Sequence, residues 1–374
     1  MSVLHLKTIA ASAAALLVLG AATAAAEPPG SPPLDLGVLP GDAHSEVIAI
    51  NAGGTVIGHS YQELYAKHAV KWDSAGTMTQ LATLGGKGSR VAAIADDGTI
   101  VGYAERANGD YAATRWDSTG KISELPALPG GKTIGAAAIN AGGVIAGVSL
   151  NAAGQSHATR WDGGGVTDLG TLPGGQNSWT NGISGDGTIT GAAVDADGVV
   201  HAVRWDATGR LTDLAPKGAG NSTVADSNDR GTTVGQADDA AVSWDRSGTL
   251  TRLAWPSATD PSWTAAVSQD GTIAGGGYPT FGKTQAARWD AAGHLTLLGR
   301  ADADSNASDI NAAGTIVGQS SGFAARWDSN GVLVDLGALP GGADSWASAI
   351  NDHGTIAGGS RTADGKHHAV LWRA

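Results

Sequence analysis

Cysteine is absent from all 374 residues, phenylalanine occurs twice, and only 16% of the chain is charged. Without a thiol there is no disulfide, no thiolate zinc site and no cysteine nucleophile. The fold must then be held by a core large enough to do without cross-links. Glutamate is scarce as well: Glu27, Glu46, Glu63, Glu105 and Glu124 are the whole supply. Glycoside hydrolysis needs two facing carboxylates, and the sequence offers Glu46 no evident partner. A Gly-x-Ser-x-Gly elbow and a His-Glu-x-x-His zinc helix are also missing. Basic residues are outnumbered, and the formal charge of −12 argues against nucleic acid and against an anionic membrane surface. No cofactor and no metal is expected; acidic turns such as Asp195–Gly198, Asp226–Asp229 and Ala301–Asp309 lack the spacing of a calcium loop and are explained by turn chemistry.

Long apolar runs are missing beyond the N-terminus. There, Lys7, the stretch Ile9–Ala22 and the small residues Ala24-Ala25-Ala26 make 1–26 read as a secretory signal, with an uncleaved anchor as the alternative. Residues 27–33 ("EPPGSPP") read as a Pro-rich linker, and 34–374 as one repeat domain. The expected setting is secreted, with the cell surface or periplasm as variants and no membrane span once the signal is cleaved.

What is abundant is glycine, 57 residues, and tryptophan, 12 residues. Eight tryptophans recur about every 43 residues, a period of stacked or radial repeats: Trp72, Trp116, Trp161, Trp205, Trp244, Trp289, Trp327 and Trp372, all but the last followed by Asp. The nonapeptide Ile310–Gly318 keeps step with them, as do its near-copies from Ile50, Ile139 and Ile350. Each period holds four short strand patterns joined by Asn-x-x-Gly or Asp-x-x-Gly turns. A four-stranded sheet cannot bury both faces alone. Eight in a ring make an all-β, eight-bladed β-propeller; an open solenoid is the runner-up and would want distinct caps. An alanine stands three residues before every repeat Trp (Ala69, Ala113, Ala158, Ala202, Ala241, Ala286, Ala324, Ala369), which suits a large ring of one sheet against a small residue of the next. The last repeat lacks a fourth strand. Leu34–Leu39 has that pattern with no blade before it, so it is expected to complete the last sheet and close the ring.

The run Leu-Pro-Gly-Gly, Ser-x-Ala-x-x-Ile-Asn-x-x-Gly-x-x-x-Gly-x-Ser, His-Ala, Trp resembles the extracellular HAF-repeat proteins, from Leu34 to Trp372. The tripeptide stands here as His68-Ala69-Val70, His157-Ala158-Thr159, His201-Ala202-Val203 and His368-Ala369-Val370. Elsewhere Ala112, Ala240, Gln285 or Phe323 replaces the His, which points to a packing role. The resemblance implies export and a propeller-like fold, and no catalytic residues.

Three further tryptophans, Trp179, Trp263 and Trp346, open the first strand of blades 4, 6 and 8; the same slot holds Glu46, Arg90, Thr223 and Asn306 in other blades. Tyr61, Tyr65, Tyr103, Tyr111 and Tyr278 are expected in second-to-third connections, on the same face. Rings there would stack on sugars or grip a protein. The competing reading packs these Trp between blades, because period-2 counting puts them on the face of the core Ile of their strand. The Arg beside five of the repeat Trp (Arg115, Arg160, Arg204, Arg288, Arg326) is expected to pair with a repeat Asp or stack on Trp. The primary functional reading is a binding or scaffold module facing an extracellular glycan or protein. A polysaccharide lyase or hydrolase near Glu46 and Arg90 is the alternative, and a structural surface component without a small ligand is the third.

Overall fold

The computed structural model describes residues 32–63, 67–215, 220–257, 259–280, 282–300 and 302–373. The expected signal, most of the linker and Tyr65 lie outside these residues. Eight four-stranded antiparallel sheets follow one another in chain order. In blade 4, for example, they are Ser178–Ile183, Ile189–Val194, Val200–Trp205 and Leu211–Asp213. The first strands contact each other in sequence around the axis, and that of blade 8 returns to that of blade 1. The ring is therefore closed, and the solenoid is excluded.

Closure uses the expected strand. Leu34–Asp35 pairs antiparallel with His367–Trp372, with Leu34 opposite Leu371 and Asp35 opposite Val370. Leu36 follows them into the core between blades 8 and 1, beside Trp72 and Ala369. The edge that a three-stranded last blade would expose is thereby paired.

Each motif of the repeat has a partner in the next blade. The eight Trp pack on the preceding blade's third-strand Ala, as Trp205 does on Ala158 and Trp244 on Ala202. That same Ala donates its backbone N–H to a buried hydroxyl of the following blade's first strand. The acceptors are Ser89, Thr133, Ser178, Ser222, Ser262, Ser305, Ser345 and, across the closure, Ser45, at 2.8–3.2 Å. At the other end of the strand the nonapeptide Asn does two jobs. Its Oδ1 accepts from backbone within its own turn, as Asn51 does from Thr55, and its Nδ2 donates to a carbonyl of the next blade's turn: Asn51 to Ala95, Asn140 to Ser184, Asn228 to Ser268, Asn311 to Asn351, and Asn351 to Asn51. The recurrence of these residues is thus the recurrence of one interface.

Every first strand carries a bulge, at Val47/Ala49 in blade 1 and Ala347/Ala349 in blade 8. A bulge inserts one residue and so reverses the side-chain alternation beyond it. It also presses the two strands together. A Cβ on the glycine opposite would fall 1.9–2.3 Å from the slot residue's carbonyl oxygen in all eight blades, as Gly58 on Glu46 and Gly191 on Trp179. This explains the second glycine of the Gly-x-x-x-Gly core.

One expectation is met in part and another needs correcting. Of the repeat Arg residues, Arg160 pairs with the repeat Asp162 and reaches the next blade's Gly187, whereas Arg204 donates to the carbonyls of Asp245 and Arg246 and Arg288 to that of Ser329, each at the next blade's third-to-fourth turn; Arg373, which follows Trp372, does the same to Ser74. The His of the tripeptide is a polar partner and not packing: His157, His201 and His368 each meet a fourth-strand carboxylate, Asp168, Asp213 and Asp35, at 2.8–3.1 Å. Blades with Phe323 or Ala240 omit this edge pair without disturbing the core.

Candidate functional site

The slot predicted from Trp179, Trp263 and Trp346 is a single structural position. Register places Glu46, Arg90, Gly135, Trp179, Thr223, Trp263, Asn306 and Trp346 opposite His59, Tyr103, Val148, Ala192, Gln236, Gly276, Gln319 and Gly359. Because of the bulge, Trp346 does not share a face with Ile350. Its row continues through Gly359 to Ala369, which faces blade 1, whereas Ile350 and Trp372 pack on blade 7. The period-2 count failed because one inserted residue lies between them.

The pairs across the two strands compensate in size. Where the slot holds Trp, the second strand holds Ala192, Gly276 or Gly359, and over the two glycines the indole fills the space a side chain would take. A Cβ on Gly359 would sit 2.2 Å from Trp346 Cζ2, and one on Gly276 3.0 Å from Trp263 Cζ2. Where the slot is short, the second strand reaches instead: Gln236 and Gln319 donate to the next blade's Ser262 and Ser345 carbonyls at 3.0 and 2.9 Å. All three Trp remain half-exposed. They are neither core residues nor free loop residues.

The tyrosines are placed differently from the expectation. Tyr103 lies within Ile100–Arg106, Tyr61 ends Val56–Tyr61, Tyr111 opens Tyr111–Trp116, and Tyr278 lies in Ile273–Thr280. Tyr103 covers Gly135 of blade 3 and meets Tyr111 edge-on at 5.6 Å. Tyr278 meets Trp263 edge-on at 5.7 Å. Tyr111 and Tyr278 are 43% and 40% exposed. The aromatics thus form separate pairs around one face and not one continuous platform. Trp255, which the sequence reading passed over, wedges beside Trp289 at 6.0 Å and occupies the space above Gly277.

Glu46 lies in a network that no other blade repeats. Its Oε1 is 2.8 Å from His59 Nδ1 and 2.5 Å from Lys67 Nζ. His59 Nε2 accepts the backbone N–H of Val91 in blade 2 at 3.1 Å, which assigns the ring proton to Nδ1. Burial holds His59 below its ordinary range, so it is neutral. Burial disfavours the Glu46 carboxylate, but the bonds from His59 and Lys67 outweigh it and bring its pKa down to about 2. Arg90 follows in the equivalent slot of blade 2, opposite Tyr103.

Two carboxyls near the axis behave oppositely. Asp226 accepts from Val267 N–H and Asp309 from Ile350 N–H, both at 2.9 Å, bridging to the next blade. Burial raises both, Asp309 to about 7. A raised folded-state pKa stabilises the fold at low pH, and the gain is lost as pH rises from about 4 to 7; the depressed Glu46 contributes above pH 4.5 and loses its contribution toward pH 2. His59 is depressed and works the other way, gaining stability as pH rises through the ordinary imidazole range. Measured against Asp309→Asn, which lacks the titrating group, the wild type should therefore lose several degrees of melting temperature as pH rises from about 4 to 8. A difference between the two proteins that stays constant over that range would contradict the burial assigned to Asp309.

Of the acidic turns, that of Asp195 is closed internally, its Oδ1 accepting from Asp197 and Val199, while Asp229 accepts from Gly185 of the preceding blade. Among the described residues no helix is long and apolar enough to cross a membrane.

No family model and no curated protein sequence matches the chain. Among solved structures, a prolyl endopeptidase superimposes with a TM-score of 0.55 at 10% identity, over 85% of this chain and 54% of its own. The virginiamycin B lyase of Staphylococcus aureus, solved with quinupristin, gives 0.46 at 15% identity over 91% and 98%. The β-propeller domain of the Pyrococcus furiosus trilobed protease gives 0.49 at 10% over 76% and 96%. The likeness to the endopeptidase concerns the fold alone, and the β-propeller is read from the eight sheets and their closed ring.

Proposed function

We propose that this chain is a secreted binding module of the HAF-repeat kind whose slot face takes an extracellular carbohydrate. One observation carries the reading: Trp179, Trp263 and Trp346 stand partly exposed at one position of alternate blades, opposite the small residues Ala192, Gly276 and Gly359. An indole laid flat on a glycine keeps one face for the protein and leaves part of the ring to a ligand. Sugar rings stack on such surfaces. The aromatic pairs Tyr103–Tyr111 and Trp263–Tyr278 extend the same face.

The Glu46–His59–Lys67 network favours the second reading, an enzyme, because it is a polar cluster that departs from the repeat. Its bonding speaks against that reading. Both His59 nitrogens are engaged, and Glu46 is held as a carboxylate by a lysine and a neutral imidazole, so neither is poised to move a proton near neutral pH. Its role fits the joint between blades 1 and 2.

The test is binding of the mature protein to a panel of immobilised polysaccharides, beside a Trp179→Ala/Trp263→Ala/Trp346→Ala variant checked for folding. Saturable binding is expected, weakened about tenfold or more in the variant, since each lost stacking contact costs on the order of 1 kcal/mol. Equal binding by the folded variant would end the aromatic-slot reading. Release of shortened product would transfer the case to an enzyme.

A further inference from the structure

The seam where blade 8 meets blade 1 assembles four rings from the two ends of the chain. Trp346 meets His367 edge-on at 5.5 Å, His367 meets His44 at 5.8 Å, and His44 stacks on Tyr61 at 5.4 Å and 24°. Lys67 Nζ lies over Tyr61, 4.8 Å from the ring centre. The backbone N–H of His367 donates to His44 Nδ1 at 3.1 Å, leaving the proton of neutral His44 on Nε2. The ring nitrogens of His367 and Nε2 of His44 have no hydrogen-bond partner among the described residues. All three of Trp346, His367 and His44 are half-exposed.

The polar groups around the seam are unevenly partnered. Glu46 is bonded to Lys67 and His59, Asp42 to His68 and Ser60, Asp35 to His368, Asp344 to Arg361, and Asp364 to the Thr362 hydroxyl of its own turn, while Glu63, in the loop after Tyr61, is exposed. Lys366, His44 and His367 have no carboxylate within ion-pair distance among the described residues. Burial, followed by the charges of His367, Lys366 and His368, holds His44 below its ordinary range, with Asp364 opposing. An anion placed there would relieve that repulsion.

We propose that this seam binds a carboxylate-bearing glycan, an oligouronide, with Trp346 stacking on a sugar ring and His367, His44 and Lys366 facing its carboxylate. The proposal rests on the carbohydrate reading and names its ligand class. A uronate stays ionised at pH 5, while imidazole as a class gains positive charge as pH falls from 8 toward 5. Affinity therefore rises as pH falls.

The experiment is titration of the mature protein with trigalacturonate and with its methyl ester, which has the same rings and no charge, at pH 8 and pH 5. The acid is expected to bind about tenfold more tightly at pH 5, the ester equally at both. His44→Gln and His367→Gln should each cut that ratio to about threefold or less. Lys366→Gln should weaken the acid at both pH values and keep the ratio. In the wild type, the His44 and His367 ring resonances should titrate at higher pH when trigalacturonate is bound, a readout that does not depend on any variant folding. Equal binding of acid and ester, a ratio unchanged in both His variants, or unmoved ring titrations would overturn the proposal. Failure here with neutral glycans still held through Trp179 and Trp263 would leave the carbohydrate reading standing; loss of all glycan binding would remove both.

Discussion

Trp205→Ala should cost the ring about 3–5 kcal/mol, the usual range for deleting a fully buried aromatic. Trp205 is wholly buried among Ala146, Ala158, Leu169, Leu172 and Ala193. Its indole N–H has no partner among the described residues, so packing is what the substitution removes. The alanines of the facing blade are too short to move into the void, which keeps the cavity term high. In a domain of this size the melting temperature should fall by about 5 °C. Trp179→Ala, a partly exposed Trp of the same blade, should cost about half as much. Denaturant titration of both variants checks the contrast. If the two losses are equal, the division between interface Trp and slot Trp is wrong.

The second large effect is expected at a glycine with an ordinary backbone conformation. Gly191 faces the bulge of the first strand, and a Cβ there would lie 2.0 Å from the Trp179 carbonyl oxygen and 2.9 Å from Thr180 Cα. Both are backbone atoms that cannot turn away, so the strands must separate. Gly191→Ala should lose about 3 kcal/mol, at the upper end for overpacking. Gly198, in a surface turn, is the control. Its φ is +83° and nothing lies within 4 Å of an added Cβ, so Gly198→Ala should cost only about 1 kcal/mol of backbone strain. Thermal unfolding of the pair decides whether space or dihedral angle selects the repeat's glycines. A larger loss at Gly198 would reverse the conclusion.

Much of the architecture was legible because it is written locally and repeated. Strand alternation, Asn-x-x-Gly turns and a regular Trp-Asp period involve residues a few positions apart, and eight copies average out exceptions. The unpaired "LDLGVL" pattern needed only counting to become the missing strand of blade 8. The slot was also found, since Trp179, Trp263, Trp346, Glu46 and Arg90 share a place in the repeat. Its orientation was not. A bulge leaves no residue-type signature in Ser-Trp-Ala-Ser-Ala-Ile, and one inserted residue turns every side chain before it to the other face. The size compensation of Trp346 with Gly359, or of Asn306 with Gln319, is visible in the sequence only once the register is known.

Repetition thus decided the blade count, the turns and the recurring Ser, Ala, Asn and Trp contacts, because each is the same short-range rule applied eight times. Only the closed ring decided what lies where its ends meet. His44 and His367, Asn51 and Asn351, and Ser45 and Ala369 are joined across some 300 residues. No spacing rule reaches that far. Their contacts follow from the angle at which eight twisted sheets come full circle, and that angle is a property of the packed whole.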